Sequence, residues 1–396
     1  MQPTDNSSGI SVAVVGLGSF GISFVPLYLK HPDVSRVVLC EADEARLARV
    51  AEVFGVSETA ADLDAVLGSP GIDAVHLVTP MHLHARQSVA ALDAGKHCAC
   101  AVPAGLSLTE LRDVIAAEKR SGRNYMMMET AVYTREFFCA KGLLQRGELG
   151  DIQFLRGAHY SDYEAWPAWK WYPPMAYATH AIAPLLSLAG TRMASVRCLG
   201  SGRMPASLQG PEANPYPVET AIFELHELAV AAEVTRAIFR TARQVQEAFS
   251  VYGERGSFEW PQFAGEPVTV FRVTPRDASS ARADFQRQLE EFGASLGVDP
   301  GTIAELIPQP RFPTVAIEHP GLEAAASSLP EQLGSFAGHG GAEAHLVHEF
   351  VRSIVEARPS AIGARVAADW TAPGLCAHQS AIAQGSQVMV PGFDDA

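Results

Sequence analysis

From residue 10 to residue 103, short apolar runs alternate with amphipathic stretches. Ile10–Val15, Arg36–Cys40 and Ala74–Val78 read as strands. Between them Glu44–Phe54 places Leu47, Val50, Ala51 and Phe54 on one helical face, with Gly55 as the stop. His84–Ala94 repeats the pattern before Gly95. Leu108–Arg120 follows, opened by the capping-box spacing of Ser107 and Glu110. Strands alternating with helices predict βαβ units and a parallel sheet. Beyond about residue 130 the apolar positions alternate instead, over Ile152–His159, Val218–Leu225, Ala229–Phe239 and Ala248–Tyr252. That pattern predicts a mostly antiparallel sheet, one face on helices and the other open. Residues 275–340 carry Pro308, Pro310, Pro313, Pro320 and Pro330 and read as an irregular insertion, before helices at Glu343–Glu356 and Trp370–Gln384. The expectation is an α/β chain of two domains: an N-terminal Rossmann domain (1–129), then an α+β domain with an open, mostly antiparallel sheet (130–396).

Gly16-Leu17-Gly18-Ser19-Phe20-Gly21 leaves the first strand directly and opens a helix. In a dinucleotide loop the first glycine permits the tight turn and the second lets the backbone approach a pyrophosphate. The third allows helix and strand to pack closely. The phosphates then sit over the helix N-terminus. A plain glycine turn has the same spacing, but here Glu41 ends the second strand, where an acid accepts the ribose hydroxyls. Ala42 follows, with no Arg or Ser for a 2′-phosphate, which selects NAD over NADP; the alternative for Glu41 is a solvated helix cap. Pro26 falls within the first helix and is expected to kink or shorten it.

Charge narrows the partners. Lys and Arg total 30 against 44 acids, a net charge of −14. No basic run is present, which disfavours nucleic acid and anionic membranes as partners. Met1–Gly9 is polar and lacks the pattern of a secretion signal, and no apolar run approaches the ~20 residues of a spanning helix. A cytoplasmic protein is the expectation. The six cysteines are scattered (Cys40, Cys98, Cys100, Cys139, Cys198, Cys376); Cys98 and Cys100 are spaced wrongly for a zinc knuckle, so free buried thiols are expected.

Asp73-Ala-Val-His-Leu-Val-Thr-Pro80, His84 and Ala91-Leu-Asp-Ala-Gly-Lys-His97, together with the glycine loop, resemble the Gfo/Idh/MocA family of sugar and cyclitol dehydrogenases. The resemblance implies that Thr79, Pro80 and His84 line the nicotinamide side of the cofactor cleft; His82 falls outside the motif. Dehydrogenases of that family carry Glu-Lys-Pro after the next strand, and the lysine polarises the reacting hydroxyl. Here the positions hold Ala101-Val102-Pro103, and valine can move no proton. The NAD-dependent glycoside hydrolases of the superfamily, the α-N-acetylgalactosaminidase-like group, also have valine there. Three of their runs are matched by Met126-Met127-Met128-Glu129-Thr130-Ala131-Val132-Tyr133, Tyr177-Ala178-Thr179-His180 and Gly338-His339-Gly340-Gly341. Thr130, Ala178 and Ala101 depart from the pattern at pocket positions, so the group's substrate does not carry over. By the match Val102 and Thr130 also border the cofactor.

The resemblance implies a cycle without net redox change: a hydride leaves a ring carbon, a base takes the neighbouring proton, the aglycone is eliminated, water adds and the hydride returns. His180 is the first candidate for acid or base. It sits at a helix start after Pro173-Pro174, whose dipole is expected to lower the imidazole pKa and favour the neutral base. Tyr177 and Tyr133 are candidates to stabilise an oxyanion, or ordinary packed phenols. Glu129, at the end of the fifth Rossmann strand, stands where ligands of such sheets bind, or caps a loop. Arg135 can clamp a carboxylate or sugar hydroxyl, or pair on the surface. Trp166, Trp169 and Trp171 suit the C–H faces of a sugar ring, and equally a subunit interface. His339, between glycines, can enter the same pocket. His345 and His348, three apart on a helix, lack a third ligand, so no metal is expected. Three functions compete: a redox-neutral NAD enzyme on a sugar or glycoside, an ordinary NAD-dependent dehydrogenase with His180 in place of the lysine, and a non-catalytic NAD or sugar sensor. The open sheet commonly pairs in this family, so a homodimer or tetramer is expected.

Overall fold

The computed structural model describes residues 9–162, 171–210, 214–239, 246–260, 266–274, 278–306, 314–322, 329–336 and 338–393. Its first third is built around β1 (Ile10–Val15), β2 (Val34–Cys40), β3 (Thr59–Ala60), β4 (Ala74–Leu77), β5 (His97–Cys100) and β6 (Tyr125–Met127). All pair in parallel, in the order β3-β2-β1-β4-β5-β6. Helices α1 (Gly21–Lys30), α2 (Glu44–Phe54), α3 (Leu63–Gly68), α4 (His84–Asp93) and α5 (Leu108–Ser121) make the crossovers. Every residue of β1 is buried, as a strand covered on both faces requires. The strand order reverses between β1 and β4, so a crevice opens at their C-terminal ends, beside Gly16 and Val78.

Local signals place the helix ends. The Asp43 side chain accepts from the Arg46 N–H at 3.0 Å, and Gly55 ends α2 at φ +68°. Ser107 and Glu110 form the expected capping box on α5. The expected shortening at Pro26 is corrected: α1 runs past it to Lys30, with Phe24, Val25, Leu27 and Tyr28 buried, so packing outweighs the lost hydrogen bond.

After α6 (Arg135–Gln145) come β7 (Ile152–Ser161), α7 (Thr179–Ala189), β8 (Met193–Ser201), β9 (Val218–Leu225), β10 (Ala231–Ile238), β11 (Gln246–Gly253), β12 (Gly256–Glu259) and β13 (Thr269–Thr274). Then follow α8 (Ala278–Leu296), α9 (Pro300–Leu306), β14 (Thr314–Glu318), α10 (Ala342–Val355), α11 (Ala364–Ile382) and β15 (Val388–Met389). The strands form one sheet, β14-β13-β12-β11-β7-β10-β9-β8-β15, in which only the β7–β10 pair is parallel. One face carries α7 and α11; the other leaves Leu199, Ile222 and Ile317 exposed. The expectation of an irregular 275–340 is corrected by α8, α9 and β14. The Ala/Arg/Gln/Glu/Leu content of α8 favours helix, and Pro300 starts α9, where proline is tolerated. The final helix also begins earlier than expected, at Ala364 rather than Trp370.

The last helices return to the first sheet. The Met127 N–H donates to Ile362 O at 3.0 Å. Asn124 Nδ2 donates to Ser353 Oγ at 3.0 Å and to Arg358 O at 2.7 Å. The β6 edge is thereby tied to the segment that joins α10 to α11. All six cysteines are free, five buried and Cys139 half-buried. Among the described residues no helix is long and apolar enough to cross a membrane.

Candidate active site

The glycine loop has the stereochemistry of a nucleotide cradle. Gly16 sits at φ +91°, where a Cβ would lie 2.6 Å from Val78 O. A Cβ on Gly21 would lie 2.0 Å from Gly16 O, so this glycine lets α1 close on the turn. Gly18 differs: a Cβ there meets no protein atom within 4 Å, so the side open to a ligand is the one left bare. Glu41 is fastened to this loop, Oε2 accepting from the Leu17 N–H at 2.8 Å and Oε1 from the Asp43 N–H at 3.2 Å. Arg46 approaches the same carboxylate at 3.9 Å. A cleft of about 390 Å³ lies alongside, between Leu17, Gly18, Ser19 and Ile22 on one wall and Arg46 and Arg49 on the other. Phe20 leans out to meet the His339 ring edge-on at 5.3 Å. The bare Gly18 edge, the α1 N-terminus and the Glu41 carboxylate together fit NAD.

The wall after β4 is braced from behind. The Thr79 hydroxyl donates to Gln87 Oε1 at 2.5 Å, and Pro80 is exposed. His84 is buried rather than on the cleft surface: Nε2 lies 2.7 Å from Thr79 O and Nδ1 2.9 Å from Pro103 O. A neutral ring has one N–H, so serving both carbonyls calls for imidazolium. Burial opposes that charge, but Cys100 and the two carbonyls outweigh it and push the pKa up to about 9. His84 thus ties together the loops that follow β4 and β5. Val102, next to Pro103, is a buried aliphatic residue.

Across the mouth of the sheet stands a chain of three polar groups. Tyr177 Oη lies 3.2 Å from His180 Nε2, and His180 Nδ1 lies 2.5 Å from Glu129 Oε1. Glu129 is wholly buried and His180 is 8% exposed. The same Glu129 oxygen accepts from the Ala131 N–H at 2.9 Å, while Oε2 has no hydrogen-bond partner among the described residues. Glu129 follows the sixth strand of the sheet, not the fifth, because the two-residue β3 is too short to show as an apolar run. His180 is the second residue of α7, which sits so close to β7 that a Cβ on Gly157 would lie 2.3 Å from Ala181 O. The expected lowering of its pKa by the helix dipole is corrected. Burial does lower it, but Glu129 and Glu247 outweigh burial and hold it up at about 9. A helix terminus contributes ~0.3–1 kcal/mol, less than a hydrogen-bonded carboxylate in a dry site.

Other candidates lie elsewhere. Tyr133 faces α10, stacked on His345 at 6.3 Å, and burial raises its pKa well beyond the usual phenol range. Thr130 is buried beside Glu129, with its hydroxyl unpartnered among the described residues. Arg135 is exposed at the start of α6. Trp166 and Trp169 lie outside the described residues; Trp171 is exposed, at φ +75°. His339, at φ +45°, places Nδ1 2.7 Å from Glu343 Oε1 at the start of α10. His82, outside the motif, lies 3.2 Å from Tyr172 Oη. His348 meets His31 at 3.0 Å. Among the described residues no group of three or more His, Cys, Asp or Glu is placed to hold a metal.

Sequence reasoning missed the residues behind Tyr177 and His180. Arg236 is fully buried, its Nε donating to Tyr177 O at 3.0 Å and its Nη1 to His159 O at 3.2 Å. Buried His159 lies ring to ring with His180 at 5.2 Å, and Glu247 lies 3.5 Å from its Nε2. Buried Glu219 accepts from the Met175 N–H at 2.9 Å and lies 2.6 Å from His378 Nδ1. The available signal was parity: in β9 Glu219 shares the inward register of Ala221, Phe223 and Leu225.

A parallel six-stranded sheet with a glycine cradle at its switch point defines a dinucleotide-binding Rossmann domain, joined to a domain with an open mixed sheet. Residues 10–129 match the model described as oxidoreductase family, NAD-binding Rossmann fold (GFO_IDH_MocA). A glycosyl hydrolase family 109 protein of Stenotrophomonas maltophilia (strain K279a) is 26% identical over 164 residues, 39% of this chain and 36% of that protein. A levoglucosan dehydrogenase of Pseudarthrobacter phenanthrenivorans is 30% identical over 166 residues, 39% of this chain and 43% of that protein. The matched segments thus span less than half of either relative. Over the whole fold, a levoglucosan dehydrogenase solved with NADH and levoglucosan superposes at a TM-score of 0.75. It is 20% identical, and the match covers 97% of this chain and 100% of that one.

Proposed function

We propose that this chain is an NAD-dependent enzyme that abstracts a hydride from a ring carbon of a sugar or sugar-like substrate and returns it, with no net redox change. In this reading residues 1–129 hold the nucleotide and 130–396 hold the substrate. The observation that carries it is the buried Tyr177–His180–Glu129 chain at the sheet mouth. The bound nucleotide would supply the hydride acceptor; everything else falls to side chains. Val102 can neither polarise a hydroxyl nor take its proton, so both tasks pass to the opposite wall. In this reading Tyr177 touches a substrate oxygen, His180 passes protons behind it, and Glu129 orients the imidazole and balances its charge.

Both readings begin by oxidising a ring hydroxyl and so need a group that takes its proton; the redox-neutral one also needs a donor to the leaving oxygen. An imidazole kept protonated up to about pH 9 is ready, at neutral pH, to protonate a departing glycosidic oxygen through Tyr177. The similarity to glycosyl hydrolase family 109 proteins supports the redox-neutral reading. The 30% identity to a levoglucosan dehydrogenase favours the second reading, net oxidation of an anhydrosugar or polyol.

A panel of aryl glycosides, anhydrosugars and polyols, assayed for product and for NADH absorbance together, separates the two. We expect product from a glycoside without added NAD and without accumulation of NADH. NADH rising one for one with product would replace this reading with the dehydrogenase. No product from any member would remove both in favour of a non-catalytic sensor.

A further inference from the structure

The large sheet carries a row of ionisable side chains beneath His180. Arg236 of β10 pairs with His159 of β7, which pairs in turn with Glu247 of β11; Glu219 of β9 pairs with Arg236 on its other side. Charges on a buried sheet face cost several kcal/mol unless they are compensated. Here compensation is built in: Arg236 donates to the carbonyls of Tyr177, His159 and Ala237. Glu219 is held by Met175 N–H and His378.

Two members of the row oppose each other at His180. The Arg236 guanidinium lies 5.8 Å from the centre of the Tyr177 ring and is anchored to the His159 backbone. The Glu247 carboxylate lies on the other side, 3.5 Å from the His159 imidazole, whose ring centre is 5.2 Å from that of His180. We propose that Arg236 and Glu247 are positioning residues that set the proton occupancy of His180 from opposite sides, with neutral His159 as the spacer between them.

Burial keeps His159 uncharged, with Arg236 and His180 adding to the effect. Burial also lowers Arg236, to about 9, which leaves it cationic through the neutral range. The other groups facing His180 are Glu129, after β6, and Tyr177, in the turn before α7. On α11, His378 is taken by Glu219, and Arg365 lies 3.9 Å from Asp369. On α6, Arg135 and Lys141 are exposed, and Glu136 and Cys139 are half-buried. Arg236 and Glu247 are thus the pair of opposite charges whose removal should move His180 in opposite directions. A merely structural role would not produce opposite signs.

The inference rests on the proposed function only for its meaning in turnover, so its test begins without substrate or nucleotide. Histidine ring signals are followed by NMR against pH in the wild type, Glu247→Gln, Arg236→Met and Arg236→Lys, with His180 assigned by its loss in His180→Gln. Glu247→Gln is expected to lower the His180 midpoint, and Arg236→Met to raise it, each by about one pH unit. Arg236→Lys should restore the wild-type value. Shifts of the same sign, or no shift in Glu247→Gln, would overturn the proposal. Glu247 is partly exposed, so that variant decides the matter even if Arg236→Met fails to fold. The pH limb of kcat/KM should track the NMR midpoint. A midpoint that moves while the limb stays put would keep this inference and remove His180 from the proposed chemistry.

Discussion

Replacing His180 with glutamine is expected to lower kcat by about 10²–10⁴, the range usual for a lost acid–base group, with KM little changed. Glutamine is the better probe than alanine. Glu129 is wholly buried, with His180 and the Ala131 N–H as its partners, and alanine would strand its charge at a cost of ~3–5 kcal/mol in stability. Glutamine offers a donor to the same carboxylate but cannot titrate, so fold and catalysis separate. The pH dependence gives a second arm. Glu129 is the larger of the carboxylate influences that hold the imidazole up at about 9. A raised pKa means the proton is held below that value and released above it. In Glu129→Gln the ring should therefore release its proton at lower pH, and the limb of kcat/KM that follows His180 should move down. A His180→Gln variant of near wild-type kcat would transfer the acid–base role to Tyr177 acting alone.

A Gly18→Val variant is expected to melt as the wild type does while losing at least tenfold in NAD affinity, about 1.4 kcal/mol by calorimetry. The reason is the difference between the three loop glycines. At Gly16 and Gly21 a Cβ runs into backbone, Val78 O at 2.6 Å and Gly16 O at 2.0 Å, so substitution there disturbs the fold itself. At Gly18 the space belongs to no protein atom. A valine there meets resistance only if the pyrophosphate passes over this edge, as the α1 N-terminus and the placement of Glu41 suggest. Unchanged affinity in Gly18→Val would mean that the nucleotide lies elsewhere.

These two cases also mark what the chain reveals without its structure. The glycine loop was legible because its task is local: a turn, a bare edge and a helix start lie within six consecutive residues. The same holds for the Ser107–Glu110 cap, and for β9, whose strict alternation marks one face. The Pro26 expectation failed because it weighed one missing N–H against nothing, whereas α1 buries Phe24 and Tyr28 on either side of the proline. In the region 275–340 the prolines drew the reading away from the helix-favouring composition of α8. The residues His180, Tyr177 and Tyr133 were named together by motif, yet the fold sends Tyr133 to α10 and brings Glu129 to His180 across 51 positions. Register across β10, β7 and β11 then aligns Arg236, His159 and Glu247. Such alignments depend on pairing between distant segments, which no local pattern encodes. That is also why the direction of the His180 shift was misread: the dipole was visible in the sequence, but the carboxylate beside it was not.

The central claim is that a nucleotide built into the glycine-loop cleft serves the Tyr177–His180–Glu129 chain. Native mass spectrometry of the purified protein, before and after exhaustive dialysis, with assay of the nucleotide released on denaturation, tests it most directly. The account expects one NAD per chain, retained through dialysis as a returning hydride carrier must be. A chain that carries no NAD and gains none when NAD is added would contradict it.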